Sequence, residues 1–300
     1  MSSGGGEYAH VRVPATSANL GPGFDSFGVA LGLHLTAEAV SPGPERVVTA
    51  GHGAGELPTD EQNLVWRSLA HYCRNAGSEV PDVSVQVNNP IPLERGLGSS
   101  SAAAVAGLAL GRELVSPGVS GADLVDLAAH FEGHPDNAAP AVLGGVVACV
   151  DGHPYRFEPV AQLAPVVCVP TTRQSTAQAR RVLPQQVSLA DAAANGARAA
   201  VLLAGLAGAA PFDPAVMVDV LHEPARFAVM TASGSLVSDL RDRGIAACLS
   251  GAGPSVLAVV TGADQAAAVA DTAGSGFSTH RLTWDLAGVT PVLAGRSASR

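Results

Sequence analysis

The sequence predicts an α+β fold, and three observations carry that prediction. Strand-like alternation and helical runs both occur from end to end, without the regular strand–helix–strand rhythm of a doubly wound sheet. Hydrophobic residues make up 47% of the chain and charged residues 14%, which gives 300 residues ample material for a buried core. Loops rich in glycine, proline and serine interrupt the periodic segments, and such loops on a rigid scaffold tend to hold a site.

Taken in order, Met1 to Glu7 has no apolar stretch and is not a signal peptide. Tyr8 to Pro14 alternates as a strand and enters a long loop, Ala15 to Gly28, that carries Asn19 and a single carboxylate, Asp25. Val29 to Val40 and Arg46 to Ala50 read as strands joined by Ser41-Pro42-Gly43-Pro44. Asn63 to Asn75 has helical periodicity through Leu64, Leu69 and Tyr72, and Val83 to Val87 alternates again. Pro90 and Pro92 then impose an extended approach, Gly96 and Gly98 permit a tight turn, and Ser99 caps a helix running from Ser100 to Leu114.

Further on, Gly121 to Glu132 is helical, with Leu124, Leu127, Ala128 and Phe131 on one face. Gly133-His134-Pro135-Asp136-Asn137 breaks it, Ala138 to Leu143 follows, and Val146 to Val150 and Val166 to Val169 read as buried strands. Ser175 to Leu183, Leu189 to Ala207, Ala215 to Leu221 and Leu236 to Arg243 read as helices. Ile245 to Leu249 and Ser255 to Val260 are strands around Ser250-Gly251-Ala252-Gly253-Pro254, and a helix over Gln265 to Ala273 precedes two last strands. A composition shift near Pro170 suggests two closely packed domains, 1–170 and 171–300.

Charge and residue usage exclude several functions. The net charge of -9 disfavours nucleic acid as a partner. All 17 basic residues are arginine, and without a lysine neither a Walker-type phosphate loop nor a pyridoxal Schiff base can be built. Cys73, Cys149, Cys168 and Cys248 are scattered, as expected of reduced thiols in a cytoplasmic protein. The apolar run Ala199 to Phe212 is too short to cross a bilayer and reads as a buried helix.

The stretch Gly96 to Ser101 combines a glycine turn with a helix N-terminus, whose free N–H groups and positive dipole end suit a phosphate. By itself it is equally an ordinary loop-to-helix junction. His130 and His134 stand at i and i+4 around Glu132, but the zincin order places its glutamate directly after the first histidine, and Gly133-His134-Pro135 ends the helix between them.

Pro92-Leu93-Glu94-Arg95-Gly96-Leu97-Gly98-Ser99-Ser100-Ser101 is similar to the phosphate loop of the GHMP kinases, and Ser250-Gly251-Ala252-Gly253-Pro254-Ser255 to their C-terminal glycine motif. Pro14 to Asp25 and Glu132 to Pro140, followed by Gly144-Gly145, resemble the members of that superfamily that act on homoserine. The resemblance spans Val11 to about Val260. It implies a two-domain α+β fold, with the phosphate loop in an N-terminal domain and an α+β sandwich at the C-terminus.

The function it implies is ATP-dependent phosphorylation of the L-homoserine hydroxyl, on the route to threonine. Alternatives are a GHMP kinase for another small alcohol and a non-catalytic metabolite-binding protein on the same fold.

By the same resemblance, ATP is held by Pro92, Leu93, Glu94, Arg95, Gly96, Leu97, Gly98, Ser99, Ser100, Ser101, Ala102, Gly251 and Gly253, with Asn63 and Val65 near adenine. Mg²⁺ falls to Ser100 and Glu132, which could also be only a helix cap and a solvated helix end. Asp25 and Asn19 take the substrate ammonium, and Arg180 and Arg226 its carboxylate, with Arg181 a rival for Arg180. Asn137 stands where other GHMP kinases carry an aspartate. An amide accepts no proton at neutral pH, so it hydrogen-bonds the attacking hydroxyl, with Thr176 as a polar lid. No membrane partner is expected, and a homodimer is allowed for.

Overall fold

The computed structural model describes residues 9–115 and 121–292. The expectations for Met1 to Tyr8 lie outside these residues. Helices and strands mix as the sequence predicts, in two sheets.

The first sheet runs β11-β1-β2-β4-β3, and β5 and β6 extend it from β2. Its frame is β2 (Phe27–Val40), long enough to pair β1 (His10–Ala18) along one edge. On the other edge β2 pairs β4 (Ser84–Asn89) and, at its start, β5 (Val146–Val150). β3 (Val47–Gly51) lies parallel to β4, and the short β11 (Thr290–Pro291) returns to β1. The hairpin partner β6 (His153–Phe157) was not anticipated, because Pro154 and an exposed Tyr155 break the apolar alternation.

Against this sheet lie α1 (Leu64–Asn75), α2 (Ser99–Val115), α3 (Gly121–Glu132) and α4 (Ala138–Leu143). The alanine- and glycine-rich α2 is buried through its middle, and small residues let α1 cross it closely. A Cβ at Gly107 would run into the Val65 carbonyl. Asn63 caps α1, its Oδ1 accepting from Val65 N–H.

The second sheet, β10-β7-β9-β8, consists of β7 (Ala164–Pro170), β8 (Ala246–Leu249), β9 (Val256–Val260) and β10 (Phe277–Arg281). Pro170 ends β7, which pairs within this sheet, so the sheet boundary falls ahead of β7 rather than after it. One face of the sheet packs under α8 (Thr231–Asp242) and α9 (Ala263–Ala273). Val167, Ala246, Cys248, Leu257 and Val259 instead join the main core with Val11, Leu31 and Leu108, which unites the two halves.

The segment Ala215 to Leu221 is not the expected helix. It is a single 3₁₀ turn at Pro214–Val216, after which the Asp219 carboxylate accepts the N–H groups of Leu221, His222 and Glu223 and starts α7 (Glu223–Phe227). Between β7 and α7 lie α5 (Thr176–Arg181) and α6 (Leu189–Leu206). The expectation that the apolar run at Ala199 makes a buried helix holds only for the face carrying Leu202, Gly205 and Leu206. Val201 is 44% exposed and Leu189, at the start of the same helix, 87%. All four cysteines are free and buried, and among the described residues no helix is long and apolar enough to cross a membrane.

Candidate active site

Three sequence-distant loops meet beside the N-terminus of α2. Thr16 N–H donates to the Leu97 carbonyl (3.1 Å), Gly251 N–H to the Ala18 carbonyl (3.0 Å), and the Ser250 hydroxyl lies 2.8 Å from Ser17 Oγ and 2.7 Å from the Gly96 carbonyl. The loop glycines are required by this convergence. Gly96 and Gly98 have φ of 70° and 66°, and a Cβ on either would overlap the Ser250 carbonyl or the Thr16 hydroxyl. The expected long loop is shorter than predicted: β1 continues to Ala18 and β2 begins at Phe27, so the excursion is Asn19 to Ser26.

Two cavities open at this point. One, of about 330 Å³, is lined by Asn19, Asp25, residues 94–101, Asp136, Asn137, Thr176, Arg180, Arg226 and Gly251. The other, of about 270 Å³, has apolar walls from Leu35, Leu57, Leu64, Val65, Val87, Leu93 and Ala103. Glu94, Ser99 and Ser100 line both, so the cavities meet at the start of α2. There Ala102 N–H makes the helix-type bond to the Gly98 carbonyl (2.8 Å), which leaves the amides from Gly98 to Ser101 ahead of the ladder.

The polar cavity has two charged poles. Arg180 donates both Nη atoms to the Asp25 carboxylate, at 3.0 and 2.8 Å, a fork-on-carboxylate pair. Arg226 is only 1% exposed and, among the described residues, has no carboxylate in ion-pair range. It donates to His222 Nδ1 (3.0 Å) and the Gly251 carbonyl (3.3 Å), and its guanidinium lies 5.6 Å from the Phe24 ring centroid. Burial and the neighbouring Arg180 charge pull its pKa below the ordinary value. Burial likewise pushes the His222 pKa down to about 4, so this imidazole is neutral, its Nε2–H facing the Gly21 carbonyl at 3.2 Å and Nδ1 free to accept from Arg226. A buried guanidinium with no carboxylate in ion-pair range favours the approach of an anion.

Asn137 is oriented by its neighbours. Thr16 Oγ1 donates to its Oδ1 (2.8 Å), which sets the amide's direction and leaves its Nδ2 on the side of Asp136 Oδ1 at 3.5 Å. The amide therefore offers a donor to the cavity. Asp136 is buried and lies 2.5 Å from His134 Nδ1, while His130 stacks on His71 with ring centroids 5.2 Å apart, so the two histidines face different surroundings.

The remaining predicted residues fall as follows. Arg180 enters the cavity, whereas Arg181 is exposed outside it. Asn19 lines the cavity, but its amide is engaged: Nδ2 donates to the Gly251 carbonyl (2.7 Å) and Oδ1 accepts the Asp25 N–H (3.0 Å), so it sets the position of Asp25. Asn63 lines the apolar cavity with its side chain taken up by the α1 cap and the Pro58 carbonyl. Ala102 is buried behind the phosphate loop and Gly253 packs on Met230, so neither lines a cavity. Arg95 spends its donors on the carbonyls of Pro170, Leu93 and Thr171 and thereby ties the loop to the second half. Ser100 lies at the seam, and the side chain of Glu132, the last residue of α3, lies outside the described residues. His222, Thr16, Gln174 and Ser175 were not singled out. His222 and Arg226 at i and i+4 were the one local signal available.

The fold and the paired cavities fit one class, the small-molecule kinases, and the comparisons with known proteins bear that class out. Family models described as GHMP kinases N terminal domain and GHMP kinases C terminal match residues 63–145 and 191–278. The chain is 46% identical to a homoserine kinase of Mycolicibacterium smegmatis, over 82% of each chain. It is 42% identical to one of Mycobacterium tuberculosis, over 93% of this chain and 92% of that one. It also superposes on the crystal structure of homoserine kinase from Cytophaga hutchinsonii with a TM-score of 0.82 at 26% identity, covering 97% of this chain and 99% of that one. The chain belongs to the homoserine kinase family of the GHMP kinases.

Proposed function

We propose that this chain transfers the γ-phosphoryl group of ATP to the side-chain hydroxyl of L-homoserine, giving O-phospho-L-homoserine and ADP in threonine biosynthesis. The observation that carries the proposal is Arg226, a buried guanidinium without a carboxylate partner, facing the Asp25–Arg180 pair in one cavity. An α-amino acid brings one charge of each sign. Its carboxylate would bind Arg226 and Arg180, and its ammonium would bind Asp25, which discriminates against acids such as mevalonate that lack the amine.

The adenine would occupy the apolar cavity beside Val65, and the triphosphate would cross the seam at Ser99 and Ser100 onto the amides of Gly96 to Ser101. Asn137, turned by Thr16, would donate to the acceptor oxygen and hold it in line, while Thr176 and Ser175 close the cavity from α5. Positioning and charge stabilisation supply most of the catalysis in such a transfer.

Mg²⁺ is proposed at Ser100 and Glu132, where it would neutralise charge on the triphosphate. The hydroxyl of Ser100 at the seam fits a hard cation that keeps several waters and relies mainly on phosphate oxygens. Glu132→Gln is expected to weaken the Mg²⁺ dependence of turnover, and an unchanged metal dependence would remove Glu132 from the site. We also place the division between the two halves at the β6–β7 connection, the protein in the cytoplasm, and a homodimer contact at the exposed Val187, Leu189 and Val201.

The deciding experiment measures ADP release with homoserine, mevalonate and galactose as acceptors. Turnover with homoserine well above the others is expected, and turnover only with another alcohol would end this reading.

A further inference from the structure

Phosphoryl transfer from ATP needs positive charge along the triphosphate, and this chain contains no lysine to provide it. The arginines that line the polar cavity are assigned to the scaffold or to the acceptor's carboxylate. Arg95 is bound to three backbone carbonyls, Arg180 to Asp25, and Arg226 lies buried on the acceptor side beside His222. Arg173 is different. It is exposed, lies between β7 and α5, and donates both Nη atoms to the Glu56 carboxylate, with Nη2–Oε2 at 2.9 Å.

The position of this pair is informative. Glu56 lines the apolar cavity, and Gln174, next to Arg173, lines the polar one. Gln174 N–H donates to the carbonyl of Glu94 (3.0 Å), a residue that lines both. Arg173 itself lines neither cavity, but its partner Glu56 and its neighbour Gln174 place it beside the seam where the two meet, the path a triphosphate must take between adenine and acceptor. Two carboxylates, Glu56 and Glu94, border that seam and would repel the triphosphate if no cation faced it.

We propose that Arg173 is a triphosphate-binding residue that Glu56 holds while the nucleotide is absent, and that nucleotide binding replaces the carboxylate with phosphate oxygens on the same guanidinium fork. This inference rests on the kinase reading above. A guanidinium matches carboxylate and phosphate with the same two-pronged geometry, and the more highly charged phosphate is the stronger partner. An exposed ion pair is weak, so the exchange gives up little, and an exposed side chain reorients within nanoseconds.

The test compares wild type, Arg173→Ala, Arg173→Lys and Glu56→Gln by calorimetric titration with a non-hydrolysable ATP analogue, without acceptor, and with AMP as the control. Arg173→Ala should weaken analogue binding roughly tenfold and leave AMP binding within about twofold. Glu56→Gln should tighten analogue binding by about two- to fivefold, because the competing carboxylate has lost its charge. Arg173→Lys should restore part of the loss, since an ammonium lacks the fork.

Opposite signs from the two partners of one ion pair are the diagnostic result. A pair that only ties the 171–175 segment to the loop after β3 would shift both variants in the same direction or neither, and either outcome overturns the proposal. Wild-type binding with unmoved variants defeats the role of Arg173 alone. A wild type that fails to bind the analogue defeats the kinase reading together with it.

Discussion

Arg226→Met removes the guanidinium and keeps an unbranched apolar body in a fully buried position. Its effect on folding can be worked from the contacts. The Gly251 carbonyl retains the Asn19 amide at 2.7 Å, and the 3.5 Å contact to the Ala179 carbonyl is at the limit of a hydrogen bond, so little is lost at either. The abandoned acceptor is His222 Nδ1, at a cost of about 1–3 kcal/mol. Against this, the variant no longer holds an unpaired charge out of water, a penalty of several kcal/mol. Folded stability should therefore change by less than about 2 kcal/mol, because the two terms oppose each other.

Substrate binding should respond very differently. Losing one partner of a buried, hydrogen-bonded charge pair costs about 2–5 kcal/mol. Arg180 remains as a second cation, which places the loss in the lower part of that range, about 2–3 kcal/mol or a 30- to 150-fold rise in homoserine KM. ATP KM should move less than about twofold. Initial rates of ADP release over both substrates, together with a thermal melt, measure all three quantities. A large fall in Tm with equal losses for both substrates would show that Arg226 is a strut, and the assignment would fail.

Thr16→Val keeps the shape but removes the donor to Asn137 Oδ1, so kcat should fall about tenfold with homoserine KM nearly constant; a change in KM alone would contradict the positioning role. Gly98→Ala places a Cβ against Thr16 Oγ1 at φ 66°, and urea unfolding should show a loss above the roughly 1–2 kcal/mol that left-handed backbone costs an L-residue. His222 makes stability depend on pH. Its folded pKa of about 4 lies below the ordinary 6.5, so as pH falls from 6.5 towards 4 the unfolded chain binds a proton that the folded chain refuses. Stability should drop by up to about 3 kcal/mol over that window, and His222→Gln should flatten the slope in denaturant melts at pH 7.5 and 5. Burial raises the Glu223 pKa and gives the opposite slope, so the difference between wild type and variant isolates the histidine.

Much of the scaffold was legible because its causes are local. The proline approach, the two left-handed glycines and the alanine-rich run place the start of α2 and its first-turn amides, and Asn63 caps α1 within its own turn. Where local signals compete, the reading failed. Residues 215–221 have helical composition, yet Asp219 collects three backbone N–H groups and restarts the helix at Glu223. The apolar run from Ala199 suggests a buried helix, but only one face of that part of α6 is buried, and Val201 is exposed.

The sequence by itself determined the kind of protein: four motifs in order, no lysine, and a glycine turn opening a helix, all properties of residues close along the chain. Only the tertiary structure decided the partner and direction of each group at the site. Asp25 meets Arg180 across 155 positions, Thr16 turns Asn137 across 121, and Arg226 has no carboxylate in ion-pair range among the described residues. Such pairings depend on which loops the two sheets bring together, and electrostatic energies depend on distance and burial in space, which separation along a chain does not encode.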